Sequence, residues 1–284
     1  MDALPGVPLH PRRALLPWGA CGLPKEVGVE PALRAEGLTK AFGRLLAVNG
    51  VSLLVPQGSV HAVIGPNGAG KSTLFALLSG ALRPDRGRVW LFGREATPLS
   101  PEARVRLGLS RTFQVSQVFP GLSVRENLWI ALEARRGLSP FPWLRARDRA
   151  WLAERLEELL ERLRLKEKAD RPVGELAHGD QRVVEIGLAL SLGARLLLLD
   201  EPTAGMSDEE TWRTVELLRA LREAEGLTLL FVEHDMEVVF GLAERITVMH
   251  LGEVLAEGTP EAIAADERVQ QAYLGEVVPG YEGA

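Results

Sequence analysis

Gly65-Pro66-Asn67-Gly68-Ala69-Gly70-Lys71-Ser72-Thr73 follows the apolar run Val60-His61-Ala62-Val63-Ile64, and this passage from a strand into a glycine loop decides how the rest of the chain is read. The spacing of Gly65, Gly70, Lys71 and Ser72 fits a phosphate-binding loop. Glycines let backbone N–H groups turn inward around the α- and β-phosphates with no Cβ in the way. The Lys71 ammonium can reach the β- and γ-phosphates, and the Ser72 hydroxyl is placed to ligand Mg2+. A helix opening near Lys71 aims its partly positive N-terminus at the same phosphates. A glycine turn that merely precedes a lysine would not explain four constrained positions between a strand and a helix. By itself the loop specifies a nucleoside triphosphate and no particular machine.

Length and composition set the frame around that loop. A chain of 284 residues, 46% hydrophobic and 25% charged, can bury a full core and suits one large α/β domain or one domain with a subdomain. A net charge of -5 and a pI near 5.7 argue against nucleic acid as the main partner, because phosphate backbones need a concentrated basic face. The single cysteine, Cys21, excludes an intrachain disulfide and any multi-cysteine metal site, and fits a reducing compartment. No apolar run approaches the roughly 18 to 20 uncharged residues of a membrane-spanning helix, so a membrane connection is expected to be peripheral.

Residues 1–31 carry six prolines and no helical or strand periodicity, and are expected to form a poorly ordered extension. Arg12-Arg13 followed by Ala14 to Cys21 faintly resembles an export or lipoprotein signal. Pro17 interrupts that short apolar run, and export would remove the loop at Gly65 from ATP. A start codon assigned too far upstream accounts for the segment equally well. Leu33–Leu38 and Val51–Val55 read as short strands, with Phe42 beside Gly43 in a turn between them. Phe42 is either a hairpin core residue or a base-stacking aromatic, and local sequence does not separate the two.

A helix is expected from the glycine loop through Ser79, then a turn at Pro84–Gly87 and a strand at Arg88–Phe92. Arg111-Thr112-Phe113-Gln114 sets polar residues beside apolar ones. Ser123-Val124-Arg125-Glu126 reads as a capping box opening a helix to Arg136, Gly137–Trp143 as a break, and Ala146–Leu165 as a long amphipathic helix. Leu176-Ala177-His178-Gly179-Asp180-Gln181-Arg182 opens an apolar helix over Val183–Leu192. Leu196–Leu199 and Leu227–Val232 are buried strands ending at Asp200-Glu201-Pro202 and Glu233-His234-Asp235. Asp208–Glu225 is helical, Ile246–Met249 and Val254–Leu255 are final strands, and Thr259-Pro260 starts a helix. Buried strands alternating with helices predict a largely parallel sheet covered on both faces.

A phosphate loop needs a carboxylate for its metal, and Asp200 at the tip of an apolar strand is the natural holder. Glu201 beside it is placed to orient or deprotonate an attacking water. Without Lys71, Asp200-Glu201-Pro202 would be read as a strand end and helix cap.

With these motifs in this order, the chain resembles the nucleotide-binding subunits of ATP-binding-cassette (ABC) transporters over about Leu33 to Gly275. The resemblance implies a P-loop ABC cassette, with a RecA-like parallel-sheet core, an antiparallel β subdomain and a helical subdomain. It implies an ATPase domain at 32–277, a helical subdomain at about 100–171 and a tail at 278–284. In such subunits Phe42 would stack on adenine, Gln114 would sense Mg2+ and the γ-phosphate, and His234 would contact the γ-phosphate. Leu176, Ala177, His178, Gly179 and Asp180 align with the family's signature, and Ala204-Gly205-Met206-Ser207 with its dimer-facing loop. ATP and Mg2+ are the implied cofactors. The implied partners are a second ABC ATPase subunit, identical or not, two transmembrane permease subunits touching the surface after Gln114, including Val115–Phe119, and indirectly a periplasmic or extracellular substrate-binding protein. The implied place is the peripheral cytoplasmic face of the inner or plasma membrane.

Arg111-Thr112-Phe113-Gln114, Glu126-Asn127-Leu128, Glu185-Ile186-Gly187, Val232-Glu233-His234-Asp235-Met236 and Ala272-Tyr273-Leu274-Gly275 resemble the ATPases of branched-chain amino acid importers. They are also similar to urea importer ATPases, notably at Ser207-Asp208-Glu209-Glu210-Thr211. An exporter ATPase of the outer-membrane lipid type is a further alternative, since a cassette scarcely encodes direction.

Three positions depart from the family pattern. Ala177 stands where the signature usually has serine, which removes a hydroxyl donor worth roughly 1 to 2 kcal/mol against a charged oxygen. Asp180 stands where glutamine is usual and adds a negative charge near phosphates, unless a cation or the neighbouring Arg182 offsets it. Ser207 replaces the usual aspartate. Two expectations follow: an active ATPase that tolerates a variant signature, or a weakly active regulatory half of a heterodimer.

Overall fold

The computed structural model describes residues 30–111, 118–136 and 142–273. Residues 1–29 of the expected extension, Gln114 with its neighbours 112–117, and the tail at 278–284 lie outside the described residues.

Two sheets carry the architecture. The first is antiparallel, ordered β2-β1-β4-β5, from β1 (Pro31–Phe42), β2 (Leu45–Pro56), β4 (Arg86–Leu91) and β5 (Arg94–Glu95). The two short strands expected at its start are one long hairpin. β1 continues through Gly37, whose φ of 57° accompanies a break in register between Ala35 and Leu38, so the glycine marks a bulge and not a strand end.

The second sheet has the order β10-β9-β3-β8-β7-β6. Its parallel strands are β3 (Val60–Ile64), β6 (Leu109–Arg111), β7 (Leu196–Asp200), β8 (Thr228–Val232) and β9 (Arg245–His250), with β10 (Glu253–Gly258) antiparallel at the edge. Every residue of β3, β7 and β8 is buried, including the polar His61, Asp200 and Thr228, as largely apolar runs require of parallel strands covered on both faces.

Strand alternation then sorts side chains into two cores. Leu197, Leu199, Leu229 and Phe231 face one layer of helices, whereas Leu196, Leu198, Leu230 and Val232 face the antiparallel sheet. Wedged on that second side is α1 (Lys71–Ser79), burying Leu74, Phe75, Leu77 and Leu78. Its C-terminus is capped from α2 (Pro101–Arg106): the buried Arg104 donates from Nη1 to the carbonyls of Leu77 and Leu78 at 2.8 and 2.6 Å.

The first core is closed by α3 (Val124–Arg136), α4 (Pro142–Arg162), α5 (His178–Ser191), α6 (Asp208–Glu225) and α7 (Met236–Leu242), followed by α8 (Pro260–Ala264) and α9 (Glu267–Tyr273). The Ser123/Glu126 capping box forms as read. α4, in contrast, starts at Pro142, because proline's missing N–H costs nothing at a first helical position. It ends at Arg162, short of the expected Leu165, since Arg164 turns to φ 57°. α5 starts five residues before the expected Val183; its first turn is polar and carries no apolar period to announce it. Within the 100–171 stretch, β6 pairs with β7 in the central sheet.

Candidate functional site

β3 delivers the chain to Gly65 at the carboxyl edge of the parallel sheet. A Cβ at Gly65 would collide with the Met249 carbonyl oxygen, and one at Gly70 (φ 99°) with the Ala47 carbonyl oxygen. Both glycines are therefore demanded by the approach of β9 and β2 to the loop. Gly252 donates to the Ala69 carbonyl at 3.1 Å and fixes the loop from the β9–β10 turn. Lys71 is buried, with Nζ donating to the carbonyls of Gly65 and Pro66 at 2.5 and 3.0 Å, so its charge is held under the loop. α1 has Gly70 as N-cap, no side-chain cap and no acidic residue in its first turn. Pro66 is half-buried, Asn67, Gly68 and Ser72 are exposed, Ala69 is buried, and Thr73 is partly covered. A ring of backbone N–H groups above a buried ammonium is an anion cradle.

Phe42 ends β1 and is 48% exposed, so it is not a hairpin core residue. The strand that follows it packs on Gly70 through Ala47, which puts the hairpin against the cradle.

The carboxylates lie on the neighbouring strands. Asp200 ends β7, almost fully buried, and its Oδ2 accepts from Arg111 Nη2 at 2.8 Å. Glu201 adopts φ 49°, a left-handed conformation that costs a non-glycine residue roughly 1 to 3 kcal/mol and is held here by its N–H bond to the Val232 carbonyl at 2.9 Å. Because Asp200 and Val232 are register partners, the loops after β7 and β8 run side by side, and Glu201 Oε1 comes within 3.2 Å of His234 Nε2. Glu233, buried between them, accepts from Thr203 and from the His234 N–H. Thr203 does not stand out in the sequence, and Arg111 and Glu233 appear there only inside motifs, with no role of their own. The available signal for Glu233 was a carboxylate directly ending a largely apolar strand.

The Leu176–Asp180 segment forms the start of α5, with Ala177 as an N-cap that makes no side-chain bond. Ala177 and His178 are exposed, whereas Gly179 is buried against Glu210 of α6. Asp180 does have a counter-ion, but it is Lys168 and not Arg182. Arg182 turns the other way, pairing with Glu185 at 2.6 Å and donating to the backbone carbonyls of Asp200 at 2.6 Å and Glu201 at 3.2 Å. The helix rotates successive residues about the axis, so the cation next but one in sequence faces a different neighbour. Ser207 serves as N-cap of α6 in a capping box with Glu210, a role serine and aspartate fill equally.

An apolar groove of about 460 Å³ opens between α2, β6, α3 and α5, lined by Arg111, Phe119, Ile130, Ala131, Leu188 and Leu192. Phe119 and Ile130 are exposed at its rim.

Among the described residues no cluster of three or more His, Cys, Asp or Glu could hold a metal alone. Ser72 and Asp200 offer hard oxygen donors of the kind that suits Mg2+, an ion that keeps phosphate and water oxygens for its remaining positions. No helix among the described residues is long and apolar enough to cross a membrane.

Comparison with known proteins fits this arrangement. The family model described as ABC transporter matches residues 48–204, and one described as branched-chain amino acid ATP-binding cassette transporter matches 253–279. The high-affinity branched-chain amino acid transport ATP-binding protein LivG of Salmonella typhimurium is 40% identical over 253 residues, 87% of this chain and 99% of its own. BraF of Pseudomonas aeruginosa, of the same description, is 40% identical over 252 residues, covering 87% of this chain and 98% of its own. The lipopolysaccharide export ATP-binding protein LptB of Acidithiobacillus ferridurans is 38% identical over 244 residues, 86% of this chain and 97% of its own. Among solved structures, the ADP conformation of an ATP-binding cassette of an ABC transporter superposes with a TM-score of 0.75 at 34% identity, covering 87% of this chain and 99% of that one. A dimeric bacterial ABC transporter cassette superposes with a TM-score of 0.67 at 25% identity, covering 80% of this chain and 98% of that one.

Proposed function

The chain belongs to the ABC transporter family, and from that premise we propose that it is the ATP-hydrolysing subunit of a branched-chain amino acid importer. The match of residues 253–279 to the branched-chain amino acid cassette model supports this substrate class over urea and over an export role. The residues divide as an ATPase domain over 32–277 with a helical subdomain near 100–171, from which β6 is returned to the central sheet.

In this reading the backbone N–H groups of Gly65–Thr73, Pro66 having none, cradle the α- and β-phosphates, the Lys71 ammonium reaches the β- and γ-phosphates, and Phe42 stacks on the base. Ser72 and Asp200 would hold Mg2+, with Gln114 as a further ligand. When bound with ATP, Mg2+ neutralises charge on the transferring phosphoryl group. Glu201 orients the attacking water and takes its proton, and His234 positions Glu201 while reaching the γ-phosphate. The observation that carries the reading is the 3.2 Å approach of Glu201 Oε1 to His234 Nε2, beside the cradle.

Leu176–Asp180 lies at the start of α5 and in this reading completes the site of a second cassette subunit. Lys168 neutralises Asp180, which favours an active subunit over a weak regulatory half. The groove at Phe119 and Ile130 suits an apolar segment of a transmembrane permease at the cytoplasmic face, and a substrate-binding protein acts only through that permease. The acidic net charge leaves nucleic acid without a footing.

The test is ATP turnover by the purified chain, alone and with a second ABC cassette subunit. Glu201→Gln should lower turnover by about 10²- to 10⁴-fold with ATP binding retained. Unchanged turnover would remove Glu201 from the chemistry. Leucine uptake by the assembled complex, lost with Lys71→Ala, tests the transport role.

A further inference from the structure

Asp200 is assigned to the metal in the reading above, yet its carboxylate already has a cationic partner. Arg111 Nη2 lies 2.8 Å from Oδ2, with the two side chains 13% and 4% exposed. The pairing of β6 with β7, which sets Arg111 opposite Leu198, carries the guanidinium to this strand end. Arg182 also reaches the same strand end, but at the backbone carbonyl of Asp200. Two guanidiniums thus converge on Asp200 and do different work: one holds the main chain, the other holds the carboxylate.

We propose that Arg111 is a positioning residue that competes with the divalent metal for Asp200. This rests on the assignment of Asp200 to the metal. A guanidinium and a dication seek the same carboxylate lone pairs and repel each other at close range, most strongly where burial limits screening. Metal loading therefore requires Arg111 to surrender Oδ2 or to share the carboxylate. Arg111 also keeps Asp200 paired when no metal is bound, avoiding an uncompensated buried charge. A residue that only oriented Asp200 would have the opposite signature: its loss would loosen the carboxylate and weaken the metal. Competition predicts that its loss tightens the metal.

Arg111, whose guanidinium holds Asp200, is also among the residues lining the apolar groove. Its displacement changes the charge and shape of that lining, so metal loading is felt at the groove through one side chain.

The experiment titrates Mn2+, followed by electron paramagnetic resonance, into the full chain carrying a non-hydrolysable ATP analogue. Arg111→Gln should tighten Mn2+ by about tenfold, the effect of one lost competing charge. Arg111→Lys, which keeps a cation and loses the planar fork, should tighten it less. Asp200→Asn should weaken Mn2+ binding, with Ser72 and the analogue's phosphates left as ligands, and adding Arg111→Gln to it should change nothing further. Weaker or unaltered Mn2+ affinity in Arg111→Gln, with affinity weakened in Asp200→Asn, overturns the competition and leaves the metal assignment standing. Wild-type affinity in Asp200→Asn overturns the assignment itself. Should Arg111→Gln not fold, Arg111→Lys decides alone, and equal or weaker affinity overturns the proposal. Hydrogen exchange over 118–131 should respond to Mn2+ in the wild type and not in the Arg111 variants; an equal response overturns the link to the groove.

Discussion

Glu233 Oε1 accepts from both the N–H and the hydroxyl of Thr203, at 2.9 and 2.6 Å, while Oε2 accepts from the His234 N–H at 3.1 Å. One buried carboxylate therefore ties the loop after Asp200-Glu201 to the loop that bears His234. Hydrogen bonds to a charged acceptor contribute about 1.5 to 3 kcal/mol each. Thr203→Val should lower unfolding free energy by about that amount in urea titrations. Glu233→Ala should cost more and should slow ATP turnover with nucleotide affinity retained, because His234 loses its anchor and Lys71 does not. A Thr203→Val protein as stable as the wild type would show that the two loops are held by something else.

At the signature, Lys168 and Asp180 are both partly exposed, so their pairing contributes about 0.2 to 1 kcal/mol to stability, and its larger effect lies in charge. Lys168→Ala should leave Asp180 repelling the phosphates of the opposing site. Turnover of the assembled dimer is expected to fall several-fold, and Asp180→Asn in the same chain should restore it. Failure of the second change to rescue the first would detach Lys168 from the signature.

Burial lowers the Arg104 guanidinium to about 10, still protonated at neutral pH, and its donors satisfy the last carbonyls of α1. Arg104→Met fills the volume but strands the Leu78 carbonyl, at about 1 to 3 kcal/mol, while the Leu77 carbonyl keeps the Gly80 N–H at 3.3 Å. Chemical denaturation should show a loss of about 1 to 3 kcal/mol, with the phosphate-loop helix exchanging amide protons faster at its C-terminal end.

His61 lies fully buried in β3, 2.8 Å from the Thr247 hydroxyl, and burial first and Arg245 second push its pKa down to about 3. The folded state keeps His61 neutral while the unfolded chain protonates it below about 6.5, so the unfolded state binds more protons and stability falls with falling pH across that window. The slope is about 1.4 kcal/mol per pH unit. Between pH 7 and 5 the wild type should therefore lose about 2 kcal/mol more than His61→Gln, read as the difference between their pH slopes in urea. Parallel slopes would mean that His61 titrates normally.

The cradle, the buried strands and the helix caps were legible because each is written in adjacent residues. The start of α5 was not, because its first turn is polar, and neither was the extra length of β1, where Gly37 reads as an end until its partner strand shows the bulge.

Sequence alone determined the kind of ligand, through the spacing from Gly65 to Ser72, and the kind of sheet, through apolar runs too long to face water. Both depend on short-range geometry, on a turn that needs glycine and a strand period of two. Only the tertiary structure decided which charges meet. Arg111 reaches Asp200 across 89 positions, Thr203 reaches Glu233 across 30, and Asp180 takes Lys168 from 12 residues back, in preference to the nearby Arg182. Such pairings follow from which strands become neighbours and how a helix is rotated against them. Periodicity reports which face a residue occupies, and the partner opposite that face is set by the fold.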